Sequence, residues 1–194
     1  LRLACLLLAE IVRLRRQREA SRRQERVLTH LALSDSLTGL PNRLLFHDRL
    51  SQALAQAHRN GQMVAVIYMD LDRFKHINDT LGHSAGDDLL KQAAARLDKC
   101  VRRSDTLARL GGDEFTVVLA ELDDPRDAMR AAKNIVEAMR LPFVVEGREL
   151  FVTISLGISL FPDDGDDSET LMVNADVAMY RAKELGRARQ SVFD

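Results

Sequence analysis

"MVAVIYMDLD", residues 63–72, runs for seven residues without a charge before it meets Asp70. A run that is apolar at consecutive rather than alternate positions must be covered on both faces, so it predicts a strand in the middle of a sheet. A carboxylate at the carboxyl end of such a strand is conspicuous. Further on, "ARLGGDEFTVVL" (108–119) reads as two short strands joined by a tight hairpin at Gly111 and Gly112, with Asp113 and Glu114 together at its tip. Around these lie helical patterns. "NRLLFHDRLSQALAQAHRNG" (42–61) carries Leu44, Leu45, Leu50 and Leu54 at helical spacing and ends at Gly61. Residues 73–87 form a polar, Gly-containing stretch, and 88–103 read as an amphipathic helix. A helix over 124–140 has Asp124 at its N-cap, Pro125 at its first position and Asp127 in its first turn. Residues 143–162 predict a strand pair about Glu146–Gly147, and 168–187 a last helix. The resulting strand–helix–strand–strand–helix–strand order is the ferredoxin-like α+β pattern, an antiparallel-rich sheet flanked by helices. No G-x-G-x-x-G follows the first strand and no Walker motif is present, which argues against a dinucleotide-binding or P-loop fold.

The chain has 194 residues, enough for one well-cored domain and an appendage. Net charge is −1, which argues against a general nucleic-acid binder. Cys5 and Cys100 stand far apart with no metal-like spacing, as in a reducing compartment, with the cytoplasm as the default. The domain reading is an extended helix over 1–33, broken by the turn chemistry of "SDSLTGLPNR" (34–43), and one folded domain over 34–194. "LRLACLLLAEIV" (1–12) is apolar but short of the ~20 residues that span a bilayer. Arginines crowd the residues after it. It ends a membrane helix, placing the rest of the chain on the cytoplasmic side, or Leu3, Leu7, Leu14, Leu28 and Leu31 form the seam of a dimerising helix, and both can hold of one helix; the further alternative is a solvated basic helix with no partner.

Asp70 and Asp72 are two apart at a strand end and emerge on one side of the pleat. If the hairpin neighbours this strand, Asp113 or Glu114 meets Asp70. Converging carboxylates raise one another's pKa unless a cation sits among them, and oxygen-only ligands suit Mg²⁺ or Mn²⁺. The alternative is a surface turn of solvated acids.

"RLGGDEF" (109–115), "MDLDRFKHINDTLGHSAGD" (69–87), "DSLTGLPNR" (35–43) and "NADVAMYRAKELGR" (174–187), four motifs in order, resemble the GGDEF domain of the diguanylate cyclase family. The resemblance covers about residues 34–194. It implies a ferredoxin-like palm of the nucleotide-cyclase and polymerase type, and condensation of two GTP into cyclic di-GMP with release of pyrophosphate. By the same resemblance, Asp70, the carbonyl of Leu71 and Asp113 match metal ligands for two Mg²⁺ or Mn²⁺ per site, with Glu114 as a further ligand or the base at the attacking 3′-hydroxyl. Gly111 and Gly112 match a close passage of backbone to nucleotide. Asn78 and Asp87 match the readers of the guanine edge. Lys75, Lys183 and Arg187 match phosphate contacts, completed by the backbone N–H groups of Arg73 and Phe74. Lys183 and Arg187, four apart, are expected on one helix face. Asp72 stays outside the metal set, and His83 is expected to be a structural loop residue. Arg102-x-x-Asp105, five residues ahead of Gly111, matches an inhibitory product site, with Arg103 as a substitute for Arg102. The resemblance also implies a homodimer, because each site supplies one GTP; independently of it, the cytoplasmic default includes membrane attachment through the segment before residue 13 if that segment is a membrane remnant. The alternative function is a non-catalytic module that binds GTP or cyclic di-GMP and regulates an attached domain.

Overall fold

Strand β1 (Met63–Leu71) is hydrogen-bonded along both edges, to β3 (Glu114–Leu122) and to β6 (Ile154–Phe161), antiparallel to each. The computed structural model describes residues 31–193. The expected helix over 1–33 therefore lies almost wholly outside the described residues; Leu31–Leu33 are helical. From Asp35 the chain forms one compact unit. Its main sheet has the order β2-β3-β1-β6-β7, with β2 (Thr106–Gly111) at one edge and β7 (Gln190–Val192), parallel to β6, at the other. The helices are α1 (Arg43–Asn60), α2 (Phe74–Leu81), α3 (His83–Asp98), α4 (Pro125–Met139) and α5 (Ser168–Glu184). Strands β4 (Phe143–Val145) and β5 (Arg148–Leu150) make a separate small hairpin.

The continuous apolar run of β1 does what its composition demands. Ala65, Ile67, Met69 and Leu71 pack with Phe74, Leu89, Leu97, Ile135 and Met139 on one face. Val64, Val66 and Tyr68 pack with Phe46, Leu50, Leu171 and Met179 on the other. Each fully buried side chain of this kind contributes about 1.5–3 kcal/mol. Local signals set the helix ends. Asn42 accepts the Leu45 N–H at 3.1 Å and Gly61 closes α1 at φ 65°. Asp124 caps α4 through the Arg126 N–H at 2.8 Å. Asp167 caps α5 by accepting the N–H groups of Glu169 and Thr170, each at 2.9 Å.

Three expectations are corrected. Residues 73–87 are largely helical: α2 fills their middle and α3 begins at His83, so His83 opens a helix rather than sitting in a loop. Gly82, at φ 86°, separates the two helices. The predicted strand pair at 143–162 is two structures, the β4–β5 hairpin about Glu146–Gly147 and strand β6 in the main sheet. The last helix stops at Glu184, and Gly186, Arg187 and Ala188 all have positive φ, so Lys183 and Arg187 do not share a helix face.

Candidate active site

The period of two along β1 brings Tyr68 and Asp70 to one face, and the pairing places Glu114 of β3 directly opposite Asp70. A register shift between Arg109 and Gly111 in the β2–β3 pair accommodates the turn. Gly111 (φ 142°) and Gly112 (φ 53°) supply backbone angles that other residues rarely adopt, and no protein atom lies within 4 Å of where a Cβ would stand on either. The turn is fastened twice. The Leu71 N–H donates to the Asp113 carbonyl at 3.3 Å, tying the end of β1 to the tip of the hairpin. Arg109 donates from Nε and Nη2 to the Gly112 carbonyl at 3.0 and 2.7 Å, and from Nη1 to Asp35 Oδ1 at 2.9 Å. Asp35 in turn accepts from the backbone N–H and hydroxyl of Thr38, at 2.9 and 2.6 Å. Sequence reasoning assigned no role to Arg109, Asp35 or Thr38; the Asp-x-x-Thr spacing in a turn was the available signal.

Asp70 and Asp113 are half-buried acids close enough to repel. Burial pushes the Asp70 carboxyl up; a hydrogen bond from Lys183 opposes this, and the neighbouring charge of Asp113 adds to it. The Lys183 Nζ stands 2.8 Å from Asp70 Oδ1. Asp113 is likewise pushed up by burial, against its backbone hydrogen bond and the charge of Lys183. Glu114 is engaged by the Tyr68 hydroxyl, whose own pKa is driven up by burial and by that carboxylate. Among the described residues, no three His, Cys, Asp or Glu side chains gather as a group that could hold a metal ion. Glu114 stands opposite Asp70 in the strand register, and its carboxylate accepts from the Tyr68 hydroxyl. The remaining donors still fit a hard divalent cation. Asp70 and Asp113 offer carboxylate oxygens whose ionised forms are penalised by burial, and divalent ions commonly fill out their shell with waters and phosphate oxygens.

Asp72, 6 % exposed, is a structural knot. It accepts from Thr153 Oγ1 at 2.6 Å, Ser155 Oγ at 2.7 Å and the Ala188 N–H at 3.1 Å, and its own N–H donates to the Thr153 carbonyl at 2.9 Å. Arg187 Nε lies 3.9 Å from its Oδ1. Lys183 and Arg187 thus approach two different carboxylates.

Arg73 enters α2 in the left-handed conformation, φ 60°, and Phe74 and Lys75 form the first turn, whose N–H groups have no intrahelical acceptor. Phe74 is buried, while the side chains of Arg73 and Lys75 are exposed. Asn78 has a buried Oδ1 with no hydrogen-bond partner. A Cβ on Gly86 would lie 1.8 Å from that oxygen, so any larger residue there would displace the Asn78 side chain. Asp87 follows Gly86 and is exposed. Away from these residues, the Arg102 N–H donates to Asp105 Oδ2 at 2.8 Å and the Asp105 N–H to the Arg102 carbonyl at 3.0 Å. Burial raises the Asp105 carboxyl. Arg49, Arg102, Arg103 and Asp105 line a cavity of about 480 Å³.

Residues 32–189 match the family model described as diguanylate cyclase, GGDEF domain. This chain belongs to the GGDEF family. The bifunctional diguanylate cyclase/cyclic di-GMP phosphodiesterase MucR of Pseudomonas aeruginosa is 48% identical over 89% of this chain. The diguanylate cyclase TpbB of the same organism is 47% identical over 86%. This chain spans 25% of the length of MucR and 39% of that of TpbB. The solved GGDEF domain of TpbB superposes with a TM-score of 0.81 at 44% identity, covering 83% of this chain and 94% of the other. A structure of the coiled coil and GGDEF domain of DgcB from Caulobacter crescentus, in complex with c-di-GMP, gives 0.86 at 27% identity, covering 96% and 98%.

The α+β architecture, a five-stranded sheet flanked by helices, is that of GGDEF domains. GGDEF cyclases are generally metal-dependent. The signature residues fall at the β2–β3 turn, and the sequence-matched positions 70, 71, 113 and 183 meet around one strand end. Among the described residues, no helix is long and apolar enough to cross a membrane.

Proposed function

We propose that this GGDEF domain is a diguanylate cyclase that joins two GTP molecules into cyclic di-GMP. The observation that carries the reading is the pair of half-buried carboxylates, Asp70 and Asp113, brought together where β1 meets the β2–β3 turn, with Lys183 and two exposed glycines beside them. In each transfer, the 3′-oxygen of one nucleotide forms a bond to the α-phosphorus of the other while the α–β phosphoanhydride breaks. The hydroxyl proton is lost to a base and pyrophosphate departs. Two transfers close the ring. Each domain holds one GTP, so two domains must face each other, as a homodimer; the coiled coil named for the DgcB structure supports such pairing through residues before 34. GTP as substrate supports a location on the cytoplasmic side, with attachment to a membrane through the segment before residue 13 as a further part of this reading.

Asp70, the Leu71 carbonyl and Asp113 would hold Mg²⁺ or Mn²⁺, two per site, with Glu114 as a further ligand or the base. When bound, such ions activate a hydroxyl and neutralise charge on the phosphate under attack. The chain's own residues do the rest. Asn78 and Asp87 read guanine, whose N1–H and 2-amino group are donors that a carboxylate accepts together; the unpartnered Asn78 Oδ1 supports this. The N–H groups of Arg73 and Phe74 at the start of α2, with Lys75, Lys183 and Arg187, cradle phosphate oxygens. Arg102 and Asp105 bind the product as an inhibitor.

The test is incubation of the 194-residue chain with GTP and Mg²⁺, followed by chromatography for cyclic di-GMP and pyrophosphate. Both are expected, and Asp113→Ala is expected to remove them by at least about a hundredfold, the size of a lost positioning or electrostatic group. An absence of product at protein concentrations where the chain is dimeric would overturn the cyclase reading in favour of a nucleotide-binding module.

A further inference from the structure

Tyr68, 8 % exposed, lies in the layer where β1 faces α1 and α5, among Phe46, Leu50, Leu171 and Met179. The chemistry assigned to Asp70 and Asp113 does not use it. Phenylalanine would fill the same space, so the hydroxyl is the feature that needs a reason. A phenol in an apolar layer is tolerated where an acceptor meets its O–H. Here the acceptor is the Glu114 carboxylate.

The strand register brings the two together. Tyr68 stands opposite Thr116 and Asp70 opposite Glu114, so Tyr68 and Glu114 are diagonal neighbours on one face, a separation that long side chains bridge. Thr116, wholly buried between them in sequence and space, does not compete, since its hydroxyl has no hydrogen-bond partner. Two other charged groups act on the phenol, Asp176 from α5 and Arg43 from the start of α1, and both do so through charge alone.

The two ends of the contact differ in freedom. The ring is locked by the helices packed on it, whereas Glu114 is half-buried at the first position of β3, next to the glycine turn, on a side chain with several rotatable bonds. A hydrogen bond from a fixed donor passes the rigidity of the core to a carboxylate that otherwise has none. The phenol takes one of about four acceptor directions on the carboxylate and leaves the others open. The charge of Glu114 already acts on Asp113, so where this carboxylate stands matters to the pair that carries the site.

We propose that Tyr68 is a positioning residue, whose hydroxyl fixes the Glu114 carboxylate beside Asp70 and Asp113 so that a divalent cation meets it already oriented. The proposal rests on the reading of Glu114 as a metal ligand and adds to it a residue that touches neither metal nor nucleotide.

The experiment uses the 194-residue chain with Mn²⁺ and 3′-deoxy-GTP, which lacks the attacking hydroxyl and so does not turn over. Electron paramagnetic resonance of free Mn²⁺ reports binding to the wild type, Tyr68→Phe, Glu114→Gln and the double variant, and thermal melting without metal checks that each is folded. Tyr68→Phe is expected to bind Mn²⁺ about tenfold more weakly, as when the partner of a ligating group is lost. Glu114→Gln is expected to lose at least as much, and the double variant no more than Glu114→Gln, because the hydroxyl acts only through that carboxylate. With GTP itself, Tyr68→Phe should lower kcat while KM changes by less than about twofold, and raised Mn²⁺ should recover most of the loss. Undetectable Mn²⁺ binding by the wild type, unchanged or tighter binding by Tyr68→Phe, or additive losses in the double variant would each overturn the proposal. The expected pattern of Mn²⁺ affinities in a chain that makes no cyclic di-GMP would instead sink the cyclase reading and leave the role of Tyr68 standing.

Discussion

Arg109 serves two acceptors far apart in sequence, the Gly112 carbonyl inside the signature turn and Asp35 in the chain that leads into α1. Its side chain is 10 % exposed and that of Asp35 19 %, so the pair is shielded enough for its charge to matter. Arg109→Ala leaves the Gly112 carbonyl and Asp35 without that donor, at a cost of about 2 kcal/mol. Thermal melting should show this as a fall of about 4–8 °C for a domain of this size. The pH dependence has a definite sign. Burial works to raise the Asp35 carboxyl, but hydrogen bonds from Thr38 and Arg109 outweigh it and leave the pKa below its ordinary 3.8. The ionised acid therefore stabilises the fold fully above about pH 4, and that contribution is lost as pH falls through the depressed value. Melting curves collected from pH 5 down to pH 3 should show a steeper decline for the wild type than for Asp35→Asn; parallel curves would count against the clamp. At this scale the sequence was readable in part. Asp70 stood out because a charge ended an apolar run. The role of Asp72 was not readable, since its partners Thr153, Ser155 and Ala188 lie 81, 83 and 116 residues away. Nor was the hydrogen bond from Tyr68 to Glu114, which depends on a register that alternation alone does not fix.

Helix α5 lies so close on β6 that a Cβ at Gly157 would come within 2.1 Å of the Ala175 carbonyl oxygen and the Met179 nitrogen. Both are backbone atoms of a helix and cannot yield by changing rotamer. Gly157→Ala is expected to destabilise the domain by about 3 kcal/mol, at the upper end of overpacking costs. A urea titration would register this as a lower midpoint at unchanged slope, and an unchanged midpoint would show that the helix can shift. Because α5 carries Lys183, the same variant should also weaken GTP binding. Elements with a long, strong period were legible: α1, β1, α4 and the β2–β3 hairpin stand where periodicity and caps place them. Helix α2 was not, because it is only eight residues long and its stripe of Phe74, Ile77 and Leu81 is set among polar residues and closed at once by Gly82. Gly82 and Gly86 made the flanking sequence read as loop, although Gly86 is inside α3 and is there to admit Asn78. The pairing of β1 with the hairpin followed from the element order, whereas the parallel edge strand β7 had too short a run to announce itself.

For the whole molecule, the proposed chemistry needs two copies, and one domain supplies half of each bond-forming event. Residues 1–33 are the proposed means of bringing the halves together, by raising the effective concentration of one domain for the other. Removing them should lower cyclic di-GMP formation per subunit in dilute protein, with recovery as concentration rises; equal turnover at every concentration would assign dimerisation elsewhere. The unit from Asp35 onward carries its own core on both faces of β1, so this truncation should leave its melting temperature little changed.

The ammonium of Lys183 rests on Asp70 at 2.8 Å, yet in the proposed reaction it serves a phosphate. One lysine is thus contested by two anions, and an arriving nucleotide that draws it away strips Asp70 of its counter-charge. Asp70 then becomes a better ligand for a cation, and a cation already on Asp70 leaves the lysine freer for the nucleotide. Thermodynamic reciprocity makes the two effects equal in size. In the proposed reaction the carboxylate and the lysine would neutralise each other until substrate arrives, and the site would fill by exchange of partners.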